Sequence, residues 1–475
     1  MKRAAGASAL LLAAAALSAF TITRGYQPHD EGLMLAWAQR IAAGEWPYRD
    51  FWINYGPGQP LLLAGLVKLF GPSLIWWRVL RVVLDAVVAL EAFVLVRRSA
   101  GLGWALAAWA AVAAAMAWPS GPGPNPAVLA LGFGGLLLAR RAPLGAGLLA
   151  GAALWFRFDL GLAAVVAVVL ATRSPRALLG AAVAAAVGLA PFAFVAGGDM
   201  VDQTVGFALH DQGLQRLPFP WRFHGGFDPN KLLEFYLPAI LVAGAAVWSV
   251  WALSRRRGAA WVPLIAVGVA YLLARTDEFH LVPLSVVLAV ALALAAASEP
   301  RRAPRVALAA LLALIAVHGL ERRAGQALHP PALAPIRSAA ADGVRTDPAD
   351  ARALAGLLPY VRDYVAPGRR VLVAPPRYDR VRVGDPLLNV LLDRRNPTRY
   401  DVIQPGVVTT AAVQREMVRD LRRTRAVVRW YAPAARQLER NGSARSSGVH
   451  ILDDAIARDF RPARRFGDYQ VLLPR

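Results

Sequence analysis

The chain contains no cysteine and only seven histidines in 475 residues. The first absence removes disulfides, thiolate metal sites and cysteine nucleophiles together, and the histidines show no HxxxH-type spacing for zinc. Walker A and dinucleotide fingerprints are missing too, so nothing suggests a nucleotide-sugar site. Acidic residues are scarce, 31 against 53 lysines and arginines, for a formal net charge of +22. Such an excess invites a nucleic-acid partner, but no aromatic-interleaved basic patch or reader motif accompanies it, and nucleic acid is excluded as a partner. The arginines fall in short clusters between apolar runs and in the C-terminal third. That is the pattern of a membrane topology signal.

What the chain has in abundance is apolar sequence. Hydrophobic residues make up 57% and the mean hydropathy is +0.41, more than a soluble core needs. Lipid offers the backbone no hydrogen-bond partner, so each Ala/Leu/Val run must be a helix or part of a closed barrel; without period-two alternation, helices are expected. Candidate spans are Ala7–Ile22, read as a retained first span rather than a cleaved signal, then 77–96, 103–118, 127–138, 144–155, 160–171, 178–195, 235–253, 259–274, 281–297 and 306–318. One parity puts Arg97/Arg98, Arg140/Arg141, Arg173/Arg176, Arg255/Arg256/Arg257 and Arg301/Arg302/Arg305 all in cytoplasmic loops. The expectation is an all-α polytopic membrane bundle of about eleven transmembrane helices, multi-pass in the plasma (inner) membrane.

The opposite loops are then extracytoplasmic: 24–76, 119–126, the turn at Arg157, 197–234, the turn 275–280 and the tail. The tail mixes strand-like runs from Val371, Ala426 and Tyr469 with polar helical stretches at 349–365 and 410–423, which reads as a soluble α/β domain. Residues 1–325 are therefore expected to form a transmembrane module, with 24–76 as its first outer loop, and 326–475 an extracytoplasmic domain.

The first outer loop holds Asp30, Glu31 and Asp50. Between them Leu33, Leu35, Ala36, Trp37, Ile41 and Ala42 predict an amphipathic helix lying flat on the membrane, with Gly44 as its C-terminal cap and the PYRDF turn bringing Asp50 back. A carboxylate here suits general-base activation of a hydroxyl. An equally good reading of the spacing is an N-cap at Asp30, with Glu31 complementing the helix dipole.

The string HDEG, followed by A-x-R-I-A-x-G-E-x-P-Y-R-D-F, Y-G-P-G and a Phe-Gly before the next span, resembles bacterial members of the GT-C superfamily. These are polyprenyl-phosphate-sugar glycosyltransferases related to protein O-mannosyltransferases and to the aminoarabinose transferase of lipid A. The resemblance implies a catalytic base in the first outer loop, matching Asp30 or Glu31 by position, with Asp50 beside them and Tyr55 of the Y-G-P-G string in support. It implies transfer of a hexose or pentose from a polyprenyl-phosphate carrier to a glycan, lipid or protein hydroxyl, with inversion. Some members use a divalent metal with their acidic loop residues, but the nearer likeness is to the metal-independent branch, so no cofactor is required and no metal ligand is assigned.

Two further groups carry charge at the outer ends of spans: Arg157 with Asp159 in WFRFDLG, and Arg275, Asp277, Glu278 and His280 in ARTDEFHLVP. Arginines and a histidine at the interface suit a lipid phosphate, the leaving group of such a transfer. The bland reading is an interfacial ion pair in each turn. Arg78, Arg81, Asp85 and Glu91 stripe the second span; Arg78 is a further phosphate candidate, while Arg81 and Asp85 are spaced to pair with each other. A flippase or transporter of a lipid-linked saccharide would place polar residues at mid-membrane and show internal repeats. A ligase or polymerase acting on lipid-diphosphate glycans would rely on outer-loop arginines without the Asp30/Glu31 pair.

Overall fold

In the computed structural model, residues 2–117, 123–255 and 258–475 are described; Trp118 and the first half of the 119–126 loop, and Arg256 and Arg257 of one basic cluster, lie outside them. The chain forms two compact units: Met1–Thr21, Val79–Ala190 and Pro218–Pro331 in one, and Ile22–Arg78, Pro191–Leu217 and Ala332–Arg475 in the other.

The first unit is helical. It contains α1 (Lys2–Ala19), most of α4 (Leu74–Arg97), α5 (Leu102–Ala117), α6 (Asn125–Leu138), α7 (Pro143–Ala153), α8 (Phe158–Thr172) and most of α9 (Pro175–Ala196), then α10 (Pro229–Ser254), α11 (Val262–Ala274), α12 (Glu278–Ser298) and α13 (Arg302–Leu328). Among the described residues α9, α10, α12 and α13 are long and apolar enough to cross a bilayer. The shorter apolar helices run 11 to 16 residues from α5 to α8, below the ~20 that a full perpendicular span takes. The chain is a multi-pass, mainly helical membrane protein.

Packing follows residue size. Helix α12 is the centre, buried on all sides from Leu281 to Ala293 by α5, α10, α11 and α13, and Trp248 of α10 donates to the Ala291 carbonyl at 3.0 Å. Helices α7 and α9 meet through Gly147, Gly151 and Gly180, where an added Cβ would collide with the backbone at Ala177, Ala181 and Leu144. Small residues four apart let helices approach closely where lipid supplies no hydrophobic drive. Asp85 accepts from Ser18 of α1 at 2.6 Å and lies 3.9 Å from Arg81, so the expected i,i+4 pair is present and shared with α1.

The second unit gathers the first loop, 191–217 and the tail. Its sheet has strands β1 (Arg370–Ala374), β2 (Thr424–Trp430), β3 (Phe460–Phe466) and β4 (Tyr469–Pro474) in the order β1-β2-β4-β3, with β1 and β2 parallel and the other pairs antiparallel. The three apolar strands and both helices expected in the tail are present, the helices as α14 (Pro348–Tyr364) and α16 (Ala411–Leu421). β3 has no apolar signature because it is an edge strand whose arginines face outward.

The first loop also differs from expectation. Its predicted helix is α2 (Asp30–Ala42), but Glu31 to Ala38 are buried, Trp37 completely. It does not present one face to a membrane surface. It packs between α3 (Gly58–Phe70), a helix the apolar pattern did not mark, and α15 (Pro386–Leu392) of the tail. Gly32 makes this possible, since a Cβ there would strike the Leu387 backbone. Gly44, at φ +89° just past the helix, is the expected stop.

Candidate active site

The two adjacent acids of the first loop stand in different environments. Glu31 receives Nε and a terminal nitrogen of Arg78 at 2.9 and 2.7 Å, with both side chains 2% exposed. Arg78 also donates to the carbonyls of Ile22, Arg24 and Gly25 at 3.0, 3.2 and 2.9 Å. All five of its N–H groups are thereby engaged, leaving none for the phosphate that the sequence reading assigned to it. Asp30, half-buried in the first turn of α2, has no hydrogen bond or ion pair among the described residues. It does not cap the helix through its side chain, so the N-cap alternative is not realised.

Asp50 is otherwise engaged. It accepts from the Trp46 amide at 2.7 Å and from Arg49 at 2.8 and 2.7 Å. The Arg49 guanidinium holds its carboxyl below the usual carboxylate range, which weakens it as a proton acceptor. Tyr55 lies edge-on to Trp37 at 6.2 Å, and its carbonyl accepts the Tyr48 hydroxyl at 2.7 Å. Tyr48 sits at φ +68°. Gln203, on a π-helical turn at Asp202–Gly206, donates to the Tyr48 carbonyl at 2.7 Å and accepts from the Ile53 amide at 3.0 Å. Nothing in its surface-like sequence context marked Gln203 as a buried organiser of this loop.

The motif residues Arg40 and Glu45 are structural. Arg40 pairs with Asp401 at 2.8 Å and with Glu45 at 3.0 Å, and Glu45 also receives Arg395 at 2.9 Å. Tyr26 and Tyr469 both donate to Asp385, at 2.8–2.9 and 2.8 Å. These contacts fasten the first loop to the tail.

In the helical unit, the two charged turns come together. Arg157 binds Asp159 at 2.9 and 2.5 Å and Asn125 at 2.9 Å, and its guanidinium lies 4.1 Å from the Tyr271 ring centre. The other side of the group is His280, with ring centres 4.2 Å apart. His280 Nδ1 is 2.6 Å from Asp277, which also takes Arg275 Nε at 2.5 Å and the amides of Phe279 and His280. Tyr271 joins two turns more than a hundred residues apart while Asn125 holds Arg157, and neither was legible in sequence because each stands alone in an apolar helix. The interfacial ion pairs are real, but they form one cluster of two guanidiniums, an imidazole and a phenol ring. Guanidinium and imidazole N–H groups are the donors that anion recognition uses.

Among the described residues, Asp379, His450 and Asp453 are the group close enough to share a metal ion, their ligand atoms lying within 4.8 Å of one another. Arg377 and Ser446 already bind Asp379, and Arg429 binds Asp453 at 2.8 Å. These cations offset the negative charge a divalent ion would need.

No family model matches the sequence, and no curated protein does. Among solved structures, the chain is similar to ArnT from Cupriavidus metallidurans in the apo state, with a TM-score of 0.56 at 13% identity over 99% of this chain and 98% of that one. It is also similar to the same protein bound to undecaprenyl phosphate, at 0.53 and 14% over 98% of each chain. A weaker likeness, 0.47 at 13% identity over 98% of this chain and 74% of that one, is to the archaeal oligosaccharyltransferase AglB from Archaeoglobus fulgidus, in complex with an inhibitory peptide and a dolichol-phosphate. At these identities what is shared with the ArnT structures is the fold alone.

Proposed function

We propose that this chain is a glycosyltransferase that moves a hexose or pentose from a polyprenyl-phosphate carrier to an acceptor hydroxyl on the extracytoplasmic face, inverting the anomeric centre. The observation that carries the proposal is Asp30, a carboxylate free of partners among the described residues beside a Glu31 that Arg78 has already neutralised. A general base must have lone pairs open to the incoming proton, and Asp30 is the first-loop acid that has them. The acceptor oxygen gives its proton to Asp30 as it bonds to C1; the C1–O bond to phosphate breaks, and the phosphate departs with the electron pair.

Arg157, Arg275 and His280 are assigned to the lipid phosphate. Asp159 and Asp277 hold the arginines in place, and His280, with Nδ1 turned to Asp277, is fixed in its ring orientation. The reading draws support from the fold shared with the ArnT structure bound to undecaprenyl phosphate. Residues 326–475 are assigned to the extracytoplasmic side with the acceptor, and the basic clusters to the cytoplasmic side of the inner membrane. The chemistry described needs no metal at these residues.

The test is transfer from a panel of radiolabelled polyprenyl-phosphate sugars by membranes carrying wild type, Asp30→Asn or Arg275→Ala at matched expression. Loss with Asp30→Asn is expected. Transfer that survives this change would remove the base assignment and favour a ligase acting on lipid diphosphates.

A further inference from the structure

The segment Pro218–Phe227 reads PFPWRFHGGF and is separated from α10 by Asp228 alone. It has four aromatic side chains and little reason, as a surface loop, to display them. Trp221 is 81% and Phe227 90% exposed, among the most exposed large apolar side chains among the described residues. Arg222 and His224 are exposed beside them.

The display is held in place. The Trp221 amide donates to the Phe219 carbonyl at 2.9 Å across Pro220, setting the Phe219 and Trp221 rings 4.6 Å apart. Phe223 packs edge-on to Phe235 at 5.4 Å, and its amide donates to the Tyr236 hydroxyl at 3.2 Å. Thr276 donates to the Pro218 carbonyl at 3.2 Å. The loop is thus fastened to the first turns of α10, one of the helices long and apolar enough to cross a bilayer. Asp228 caps that helix through the Asn230 and Lys231 amides.

We infer that Pro218–Phe227 is a membrane-interface anchor, seating Trp221 and Phe227 among the headgroups and upper acyl chains of the leaflet where α10 enters. Position selects this occupant, because a segment one residue from the start of a span lies at the depth where Trp and cationic side chains concentrate. Chemistry agrees, since the indole and phenyl rings suit the acyl boundary while Arg222 and His224 match lipid phosphates. The inference concerns the bilayer and stands apart from the transfer reaction.

The cysteine-free chain permits a direct test. Single variants Trp221→Cys, Phe227→Cys and, as a soluble-domain control, Tyr364→Cys, which replaces a side chain 59% exposed, are spin-labelled and reconstituted in phosphatidylcholine/phosphatidylglycerol nanodiscs. Accessibility to oxygen, which concentrates in lipid, is compared with accessibility to a water-soluble nickel chelate. The expected result is an oxygen-to-nickel ratio several-fold higher at 221 and 227 than at 364. Equal ratios overturn the inference. So does a ratio that rises with the number of chains per disc, which would make the occupant a second copy. Trp221→Cys gives up only the ring contact with Phe219, and sugar transfer is not the readout, so failure here is separate from failure of the proposed activity.

Discussion

Asp30 and Glu31 are neighbours in sequence with different partners, and their roles separate on that basis. Replacing Asp30 by Asn removes a proton acceptor without disturbing a contact. Transfer is expected to fall by about 10²–10⁴-fold, the usual contribution of a general base, with an unchanged melting temperature. Glu31→Gln leaves Arg78 buried and without its counter-charge. That change is expected to destabilise the protein by ~3–5 kcal/mol, read as a lower melting temperature in detergent, and any loss of transfer should track the loss of folded protein. An Asp30→Asn enzyme of full activity, or a Glu31→Gln protein of full stability, would reverse the assignment. The sequence shows both acids as first-loop carboxylates but could not tell them apart, because the difference is made by Arg78, 47 residues away.

At the scale of elements, helix α2 depends on close approach to α15. Gly32→Ala would push a methyl group into the Leu387 backbone, which cannot rotate away as a side chain can. A loss of about 1–3 kcal/mol is expected, as for other overpacked contacts, measured by denaturation of the purified protein. The same junction contains a pH-dependent element. Asp385 accepts from Tyr26 of the first loop and Tyr469 of β4 and caps α15. Burial pushes its carboxyl from 3.8 up to about 6 against those hydrogen bonds. The fold therefore prefers the protonated acid. The stability this group adds is complete below about pH 4 and is lost as pH rises through about 6. Melting curves of wild type and Asp385→Asn, taken from about pH 4 to about pH 7, should show a stability difference that shifts in favour of the variant as pH rises. Parallel curves would show that folding leaves the carboxyl's pKa unshifted.

At the scale of the molecule, the first loop, 191–217 and the tail form one unit, so a change in the tail should be felt in the loop. Asp401→Ala leaves Arg40 buried with a lost partner. The expected result is faster proteolytic nicking within 43–57 and reduced transfer, although residue 401 is not assigned to touch sugar or phosphate. Nicking at the wild-type rate would count against this coupling. The sequence by itself determined what depends on local pattern and composition: a multi-pass helical membrane protein, an α/β tail with its apolar strands, the helix that carries Asp30, and the two charged turns. Those follow from the period of apolar residues and from the cost of bare backbone or charge in lipid. Only the tertiary structure decided that Glu31 belongs to Arg78, that Tyr271 joins Arg157 to His280, that α2 is buried against the tail, and that Gln203 orders the Tyr48–Tyr55 loop. Each of these is a contact between residues far apart in the chain, where local spacing gives no signal and the free energy comes from desolvated pairing and packing.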